Sequence, residues 1–209
     1  MNVPLVKFCG LTRAVDVERA ARLGVAAIGL VLATGSPRRV GVDLARSLAE
    51  TAREQVRPPR VVLLLRNAPA GEVAAAIAAI APDLLQFHGD ESEDECTRFG
   101  LPYWKALGLA GVADPAALLA GHLRAEALLL DGHPPGAAGG SGQRLDWRRW
   151  PAGASRRLVL AGGLAPGNIA AAIAATRPWA VDVSSGIESA PGIKDEAAMA
   201  AFMAAVAQA

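Results

Sequence analysis

The chain has 209 residues, 52% of them hydrophobic, and a formal net charge of +1. Such a length suits one domain with one core, and the near-neutral balance supplies no field to draw in nucleic acid or an anionic membrane, so a small anion must be caught by local groups. MNVPLVKFCG has no basic segment leading into an apolar run and no stretch approaches ~18 uninterrupted apolar residues, so a cytoplasmic protein without nucleic-acid or membrane partners is expected.

Taken in order, the chain repeats one theme: an apolar, β-prone run, a polar turn, then apolar residues spaced i, i+3, i+4, i+7. This is the βα unit. A strand over 5–9 precedes a helix with the stripe Val17, Ala20, Ala21, Gly24, and a strand over 26–32 precedes one capped by Asp43, with Ala45, Leu48, Ala49 and Ala52 inward. Strand 60–65 leads to Val73, Ala76, Ile77 and Ile80, and strand 84–88 to an acidic helix around 91–99. Strands 103–107 and 127–131 are followed by shorter helices over 115–123 and 146–150. Strand 157–161 leads to a helix starting at Pro166, with Ile169, Ala172, Ile173 and Thr176, and strand 180–184 to a last helix with Met199, Phe202, Met203 and Val206. Eight such units with right-handed crossovers predict an α/β fold, a closed single-domain (β/α)8 TIM barrel over 1–209, rather than an open doubly wound sheet.

Two of the predicted strands stop at small residues, Gly162-Gly163 in one and Ser184-Ser185-Gly186 in the other. Glycine lets backbone N–H groups approach a ligand and serine adds hydroxyl donors, so the pair reads as a phosphate cup, placed after strands seven and eight where barrels often hold phosphate. Each loop alone also reads as an ordinary turn. The other polar residues at strand ends or in the loops after them are Cys9, Arg38, Gln86, His88, Asp131 and Asp182. A thiol and a carboxylate at one mouth are a candidate base and acid. Each has a plainer reading beside it: Cys9 as a small core hydrophobe, Asp131 as a loop cap, His88 as a structural hydrogen-bonder, Arg38 as a solvated charge. Lys7, two residues before Cys9, shares its face and lies one layer deeper, where a buried cation favours a carboxylate partner and helps form a thiolate. Cys9 and Cys96 have neither metal-ligand spacing nor a disulfide framework, and no His/Cys/Asp metal set is expected. The Gly/Pro-rich loop 132–142 follows Asp131 directly and is expected to be a mobile lid over the mouth.

Taken together, KFCGLT (7–12), SPRRV (36–40), LLQFHGDE (84–91), LLLDG with GGSG and DW (128–147), LAGGLAPGN (160–168), VDVSSGIE (181–188) and GIKD (192–195) resemble, in order and over essentially the whole chain, the phosphoribosylanthranilate isomerase family of tryptophan biosynthesis. The resemblance implies a (β/α)8 barrel without a cofactor or metal. It also implies a small-molecule phosphosugar substrate, with Amadori rearrangement of N-(5-phosphoribosyl)anthranilate to 1-(2-carboxyphenylamino)-1-deoxyribulose 5-phosphate. Carried over by motif, Cys9 is the general base, Asp131 the general acid with a raised pKa, and Arg38 the partner of the anthranilate carboxylate. Gly162, Gly163, Ser184, Ser185 and Gly186 hold the phosphate. Apart from the resemblance, Gln86, His88 and Asp182 are expected as further substrate contacts because they lie at the same strand ends, and a monomer or homodimer is the expected assembly. Two departures are a leucine in GLVLATGSPRRV where the family often has phenylalanine, and a His-Pro-Pro insertion after Asp131. The related histidine-pathway isomerase uses aspartate where this chain has Cys9, and a non-catalytic phosphosugar-binding barrel would need neither Cys9 nor Asp131.

Overall fold

Parallel strands buried on both faces must carry apolar side chains to both sides, one set filling the barrel and the other meeting the helices. The computed structural model, which describes residues 3–134, 145–151 and 153–209, realises that requirement with eight strands: β1 (Leu5–Cys9), β2 (Ala27–Val31), β3 (Arg60–Leu65), β4 (Leu84–Phe87), β5 (Tyr103–Gly108), β6 (Ala127–Asp131), β7 (Leu158–Leu160) and β8 (Ala180–Val183). They close in sequence order, and β1 pairs in parallel with both β2 and β8. Outward residues such as Val6, Phe8, Ile28, Leu63 and Leu128 join the helices in one core. Inward ones, including Ala27, Val62, Leu84, Trp104, Leu129, Val159 and Ala180, form a second, inside the barrel.

The helices are α1 (Ala14–Arg22), α2 (Val42–Arg53), α3 (Ala70–Ile80), α4 (Glu93–Thr97), α5 (Pro115–Leu118), α6 (Ile169–Thr176) and α7 (Glu196–Ala207). The predicted stripes point inward: Val17, Ala20 and Ala21; Ala45, Leu48, Ala49 and Ala52; Ile169, Ala172, Ile173 and Thr176 are all buried. Several boundaries differ from expectation. α1 ends before Gly24. The N-cap of α2 is Gly41, and Asp43 lies in the first turn, where its charge suits the positive end of the helix. α6 begins at Ile169 rather than Pro166, because the Asn168 side chain accepts from Ala165 N (2.9 Å) and donates to Gly163 O (2.9 Å), holding 165–168 as a turn. α5 is one turn, and 147–149 is a 3-10 turn capped by Asp146. The largest departure follows β8, where the sequence predicts a direct passage to the last helix. A 3-10 turn (Ser185–Ile187) leads instead into an antiparallel hairpin of β9 (Glu188–Ala190) and β10 (Ile193–Lys194). Most of the expected lid over 132–142, including Gly139 and Gly140, lies outside the described residues. Among the described residues no helix is long and apolar enough to cross a membrane.

Candidate active site

Because side chains alternate along a strand, inward-facing positions one layer above the apolar interior deliver polar groups to the C-terminal mouth. A cavity of about 220 Å³ opens there, and Cys9, Arg38, His88, Asp131, Gly162, Gly163, Asp182, Ser184 and Ser185 all line it, with Val31, Ala33 and Leu64 as apolar wall. Two of the expected residues, Gln86 and Gly186, are not among those that line the cavity. Gln86 is fully buried beneath His88 and is not part of the cavity wall. Gly186 sits with its backbone against Leu164, where a Cβ would collide with the Leu164 carbonyl, so it joins the two loops of the cup rather than lining it. Cys96 is buried in α4, away from the cavity, with its thiol pushed up to about 12, chiefly by burial.

Cys9 ends β1 in register with Gly29 of β2. A Cβ at position 29 would stand 2.7 Å from the thiol sulfur and 3.0 Å from Lys7 Nζ, so the missing side chain is the space those two groups occupy. A glycine inside a strand is the sequence signal for such a close approach. Lys7 has the expected carboxylate partner: its Nζ donates to Asp182 Oδ1 at 2.8 Å, with both residues buried. Burial opposes the Lys7 charge, but Asp182 and Cys9 outweigh it and raise its pKa. The Cys9 thiol is also raised, because burial outweighs the pull of Lys7, so the expected thiolate-forming effect offsets only part of the desolvation.

Across the mouth, Asp131 ends β6 with its pKa raised, first by burial; His133 and the backbone N–H groups of Gly132 and His133 oppose the rise, and Asp182 adds to it. The direction is the one an acid needs if it is to carry a proton to substrate. His88 is neutral at ordinary pH, its pKa lowered to about 3 by burial first and then by His133, Lys7, Lys105 and Arg66. Its ring is tied on both sides, Nδ1 to Gln86 Nε2 (3.4 Å) and Nε2 to His133 Nε2 (3.1 Å), while His133 Nδ1 lies 2.7 Å from Pro134 O. A carbonyl accepts only, so His133 Nδ1 carries the proton there and its Nε2 accepts from His88. The absence of a linear metal motif does not carry over into space: the ligand atoms of His88, Asp131 and His133, all buried, lie within 4.8 Å of one another, which corrects the reading that the chain offers no such set.

The residues that sequence reasoning missed are on the hairpin. Glu188 (β9) accepts from Arg38 Nε (2.9 Å) and Nη2 (2.8 Å), and from Lys194 Nζ (2.7 Å). Lys194 (β10) also donates to the carbonyls of Cys9 (2.7 Å) and Ser184 (3.1 Å), and Ser184 Oγ donates to Cys9 O (2.9 Å). Burial opposes ionisation of Glu188, but the Arg38 and Lys194 bonds outweigh it and lower its pKa; Lys194 is lowered, chiefly by burial. Arg38 thus faces the cavity with its Nε/Nη2 edge already taken, an arrangement that the expected carboxylate pairing did not include. The Pro191-Gly192 pair, an ordinary turn signal, was the sequence mark of this hairpin.

At the cup, Gly162 and Gly163 have φ of 87° and 63°, left-handed conformations that glycine adopts without strain, and they line the cavity together with Ser184 and Ser185. The family model for N-(5'-phosphoribosyl)anthranilate (PRA) isomerase matches residues 6–205. An N-(5'-phosphoribosyl)anthranilate isomerase of Xanthomonas oryzae pv. oryzae is 45% identical over 210 residues, 98% of this chain and 93% of the relative. Among solved structures, phosphoribosyl anthranilate isomerase from Thermus thermophilus superposes with a TM-score of 0.82 at 35% identity, covering 98% of each chain. A phosphoribosyl anthranilate isomerase in complex with reduced 1-(o-carboxyphenylamino)-1-deoxyribulose 5-phosphate does so with a TM-score of 0.81 at 27% identity, covering 99% of this chain and 100% of that one. A match over nearly the whole length, on a closed eight-stranded barrel whose mouth carries a thiol, a carboxylic acid and a glycine–serine cup, has one reading: the chain belongs to the N-(5'-phosphoribosyl)anthranilate isomerase family.

Proposed function

We propose that Cys9 and Asp131 are the general base and general acid of the family's reaction, with the rest of the mouth built to hold a phosphosugar between them. The chain is an isomerase of N-(5'-phosphoribosyl)anthranilate in tryptophan biosynthesis. The observation that carries the assignment of roles is that a thiol from β1 and a carboxyl from β6 face one cavity whose rim is the glycine–serine cup. Asp131 gives its proton to the ribose ring oxygen, the C1–O bond opens, and a Schiff base to the anthranilate nitrogen forms. Cys9, as thiolate, then takes the proton from C2, and the electron pair moves through C1 to the nitrogen to give an enolamine that tautomerises to the ketose. Lys7 sits beneath the thiol and favours its charged form at that step, opposing the burial that disfavours it.

The phosphate is held by backbone N–H groups of the Gly162-Gly163 turn and by Ser184 and Ser185, an anchoring that suits a molecule of nearly zero net charge. Arg38 meets the anthranilate carboxylate through Nη1, its other edge being steadied by Glu188. His88 and Asp182 complete the wall. The acid, base and cup all come from one chain, so a monomer or a homodimer of this single barrel domain serves equally, in the cytoplasm. The test is loss of substrate fluorescence for Cys9→Ala and Asp131→Asn. General acid–base steps contribute typically about 10²–10⁴-fold, so each variant should lose that much kcat while still binding inorganic phosphate. Near-parental kcat in Cys9→Ala overturns the choice of base.

A further inference from the structure

We propose that His88, His133 and Asp131 form a binding site for a zinc-class divalent cation in the wall of the cavity, and that occupancy of this site arrests the isomerase. In a tetrahedral zinc site, bonds of about 2.0–2.1 Å to two imidazoles put the ligating nitrogens roughly 3.3 Å apart. His88 Nε2 and His133 Nε2 are 3.1 Å apart as they stand, and a carboxylate oxygen of Asp131 completes a group whose atoms all lie within 4.8 Å. Two imidazoles and one carboxylate suit zinc and its neighbours in the first transition row, rather than magnesium or calcium. His88 and Asp131 face the open cavity, which supplies both an entry path and a fourth position for water.

The groups behind the ligands fit the same role. His133 Nδ1–H is held by Pro134 O, so its Nε2 bears the lone pair, which accepts from His88 in the unloaded site and coordinates the metal once the His88 proton has moved. His88 needs one change: its ring proton must move from Nε2 to Nδ1 by exchange with solvent. Gln86 provides for this, because its Oε1 is a buried oxygen with no hydrogen-bond partner. Rotation of the Gln86 amide turns that oxygen toward His88 Nδ1 and supplies the acceptor that the metal-bound tautomer requires. Asp131 binds as the carboxylate, and any proton it carries passes to solvent on loading. Nothing is oxidised or reduced. Binding of the site rests on geometry alone, and its inhibitory effect rests on the role proposed for Asp131.

The experiment titrates chelator-stripped protein with Zn²⁺ against a chromophoric zinc indicator, and repeats the loading with Co²⁺ to read its visible spectrum. One zinc per chain is expected in the parent, with affinity at least a hundredfold weaker in His133→Phe, about 10–100-fold weaker in Gln86→Leu, which removes only the outer hydrogen bond, and unchanged in Cys96→Ser. Should His133→Phe fail to fold, His133→Cys keeps the test alive, since a thiolate is itself a zinc ligand and should retain binding. Equal zinc affinity in parent and His133→Phe overturns the site. So does a Co²⁺–thiolate band that vanishes in Cys9→Ser, because it assigns the metal to the thiol. Stoichiometric zinc that leaves turnover untouched overturns the arrest and also counts against Asp131 as the acid. Full turnover in Asp131→Asn sinks the acid assignment without moving the zinc titration of the parent.

Discussion

Replacing Gly29 with alanine tests the placement of Cys9, the proposed base, without altering it chemically. The backbone at position 29 is ordinary strand, so alanine meets no conformational penalty there; the cost is one methyl group placed 2.7 Å from Cys9 Sγ, 3.0 Å from Lys7 Nζ and 3.2 Å from Cys9 Cα. Uncharged heavy atoms pack at about 3.5–4.0 Å, so the sulfur must retreat by roughly 1 Å. Overpacking of this kind costs about 1–3 kcal/mol of stability, and a displacement of ~1 Å at a reacting group costs on the order of 10²-fold in rate. We expect kcat/KM from the substrate-fluorescence assay to fall about a hundredfold, with a lower urea midpoint and with inorganic phosphate still bound. The control is Gly71→Ala in α3, where a Cβ meets nothing within 4 Å; helix propensity there should raise stability by about 0.5–1 kcal/mol at unchanged rate. If Gly29→Ala turns over substrate as the parent does, the sulfur seen over Gly29 is not the group that must be positioned, and the steric reasoning fails.

Lys7→Met leaves the Asp182 carboxylate buried without its cation, which should cost about 3–5 kcal/mol in chemical denaturation; a loss much under 1 kcal/mol would mean that the pair is solvated. Because His88 is held near a pKa of about 3 in the fold and titrates near 6.5 once unfolded, the unfolded state binds the extra proton as pH falls, and stability drops below about pH 6.5. Between pH 7 and pH 5 this one ring should remove about 2 kcal/mol, measured in chelator-containing buffer, and His88→Phe should flatten that slope. Glu188→Gln unties the Nε/Nη2 edge of Arg38 and removes the counter-charge of the buried Lys194. KM for the anthranilate substrate should rise by about tenfold, with a smaller change in kcat, the pattern of lost ground-state binding; an unchanged KM separates Arg38 from the carboxylate.

What the sequence disclosed and what it hid divide along the range of the interactions. The strands were legible because a parallel strand buried on both faces must be continuously apolar, as RVVLLL and ALLLD are, and β3 and β6 keep the predicted bounds. Cys9, Asp131 and the Gly162-Gly163 turn were legible because strand ends meet at one mouth once the barrel is granted. The Lys7 counter-ion was legible as a class of residue, but its identity as Asp182 required the closure of β1 on β8. The hairpin was hidden because ESAPGIK is short, partly exposed and ruled by contacts with Arg38 and the Cys9 carbonyl, on chain segments about 150 and 185 residues away. His133 was visible as part of an insertion, but pairing with His88, 45 residues earlier, is a property of the space between β4 and β6. Boundary errors at Asp43 and Pro166 have local causes, a glycine and an asparagine that outcompete the expected residues for the first turn.

The seam between the first and last strands has a consequence for the order of events during synthesis. Cys9 is translated early, yet the groups that surround its sulfur and its carbonyl, Asp182 through Lys7, Ser184 and Lys194, are translated some 175 to 185 residues later. A nascent chain ending anywhere before β8 carries the Cys9 thiol but not its electrostatic setting, with Lys7 lacking its counter-charge. Isomerase competence therefore arrives late and together, when the C-terminal segment leaves the ribosome and docks against the N-terminal strand, and the half-made enzyme has no partial version of its chemistry to perform.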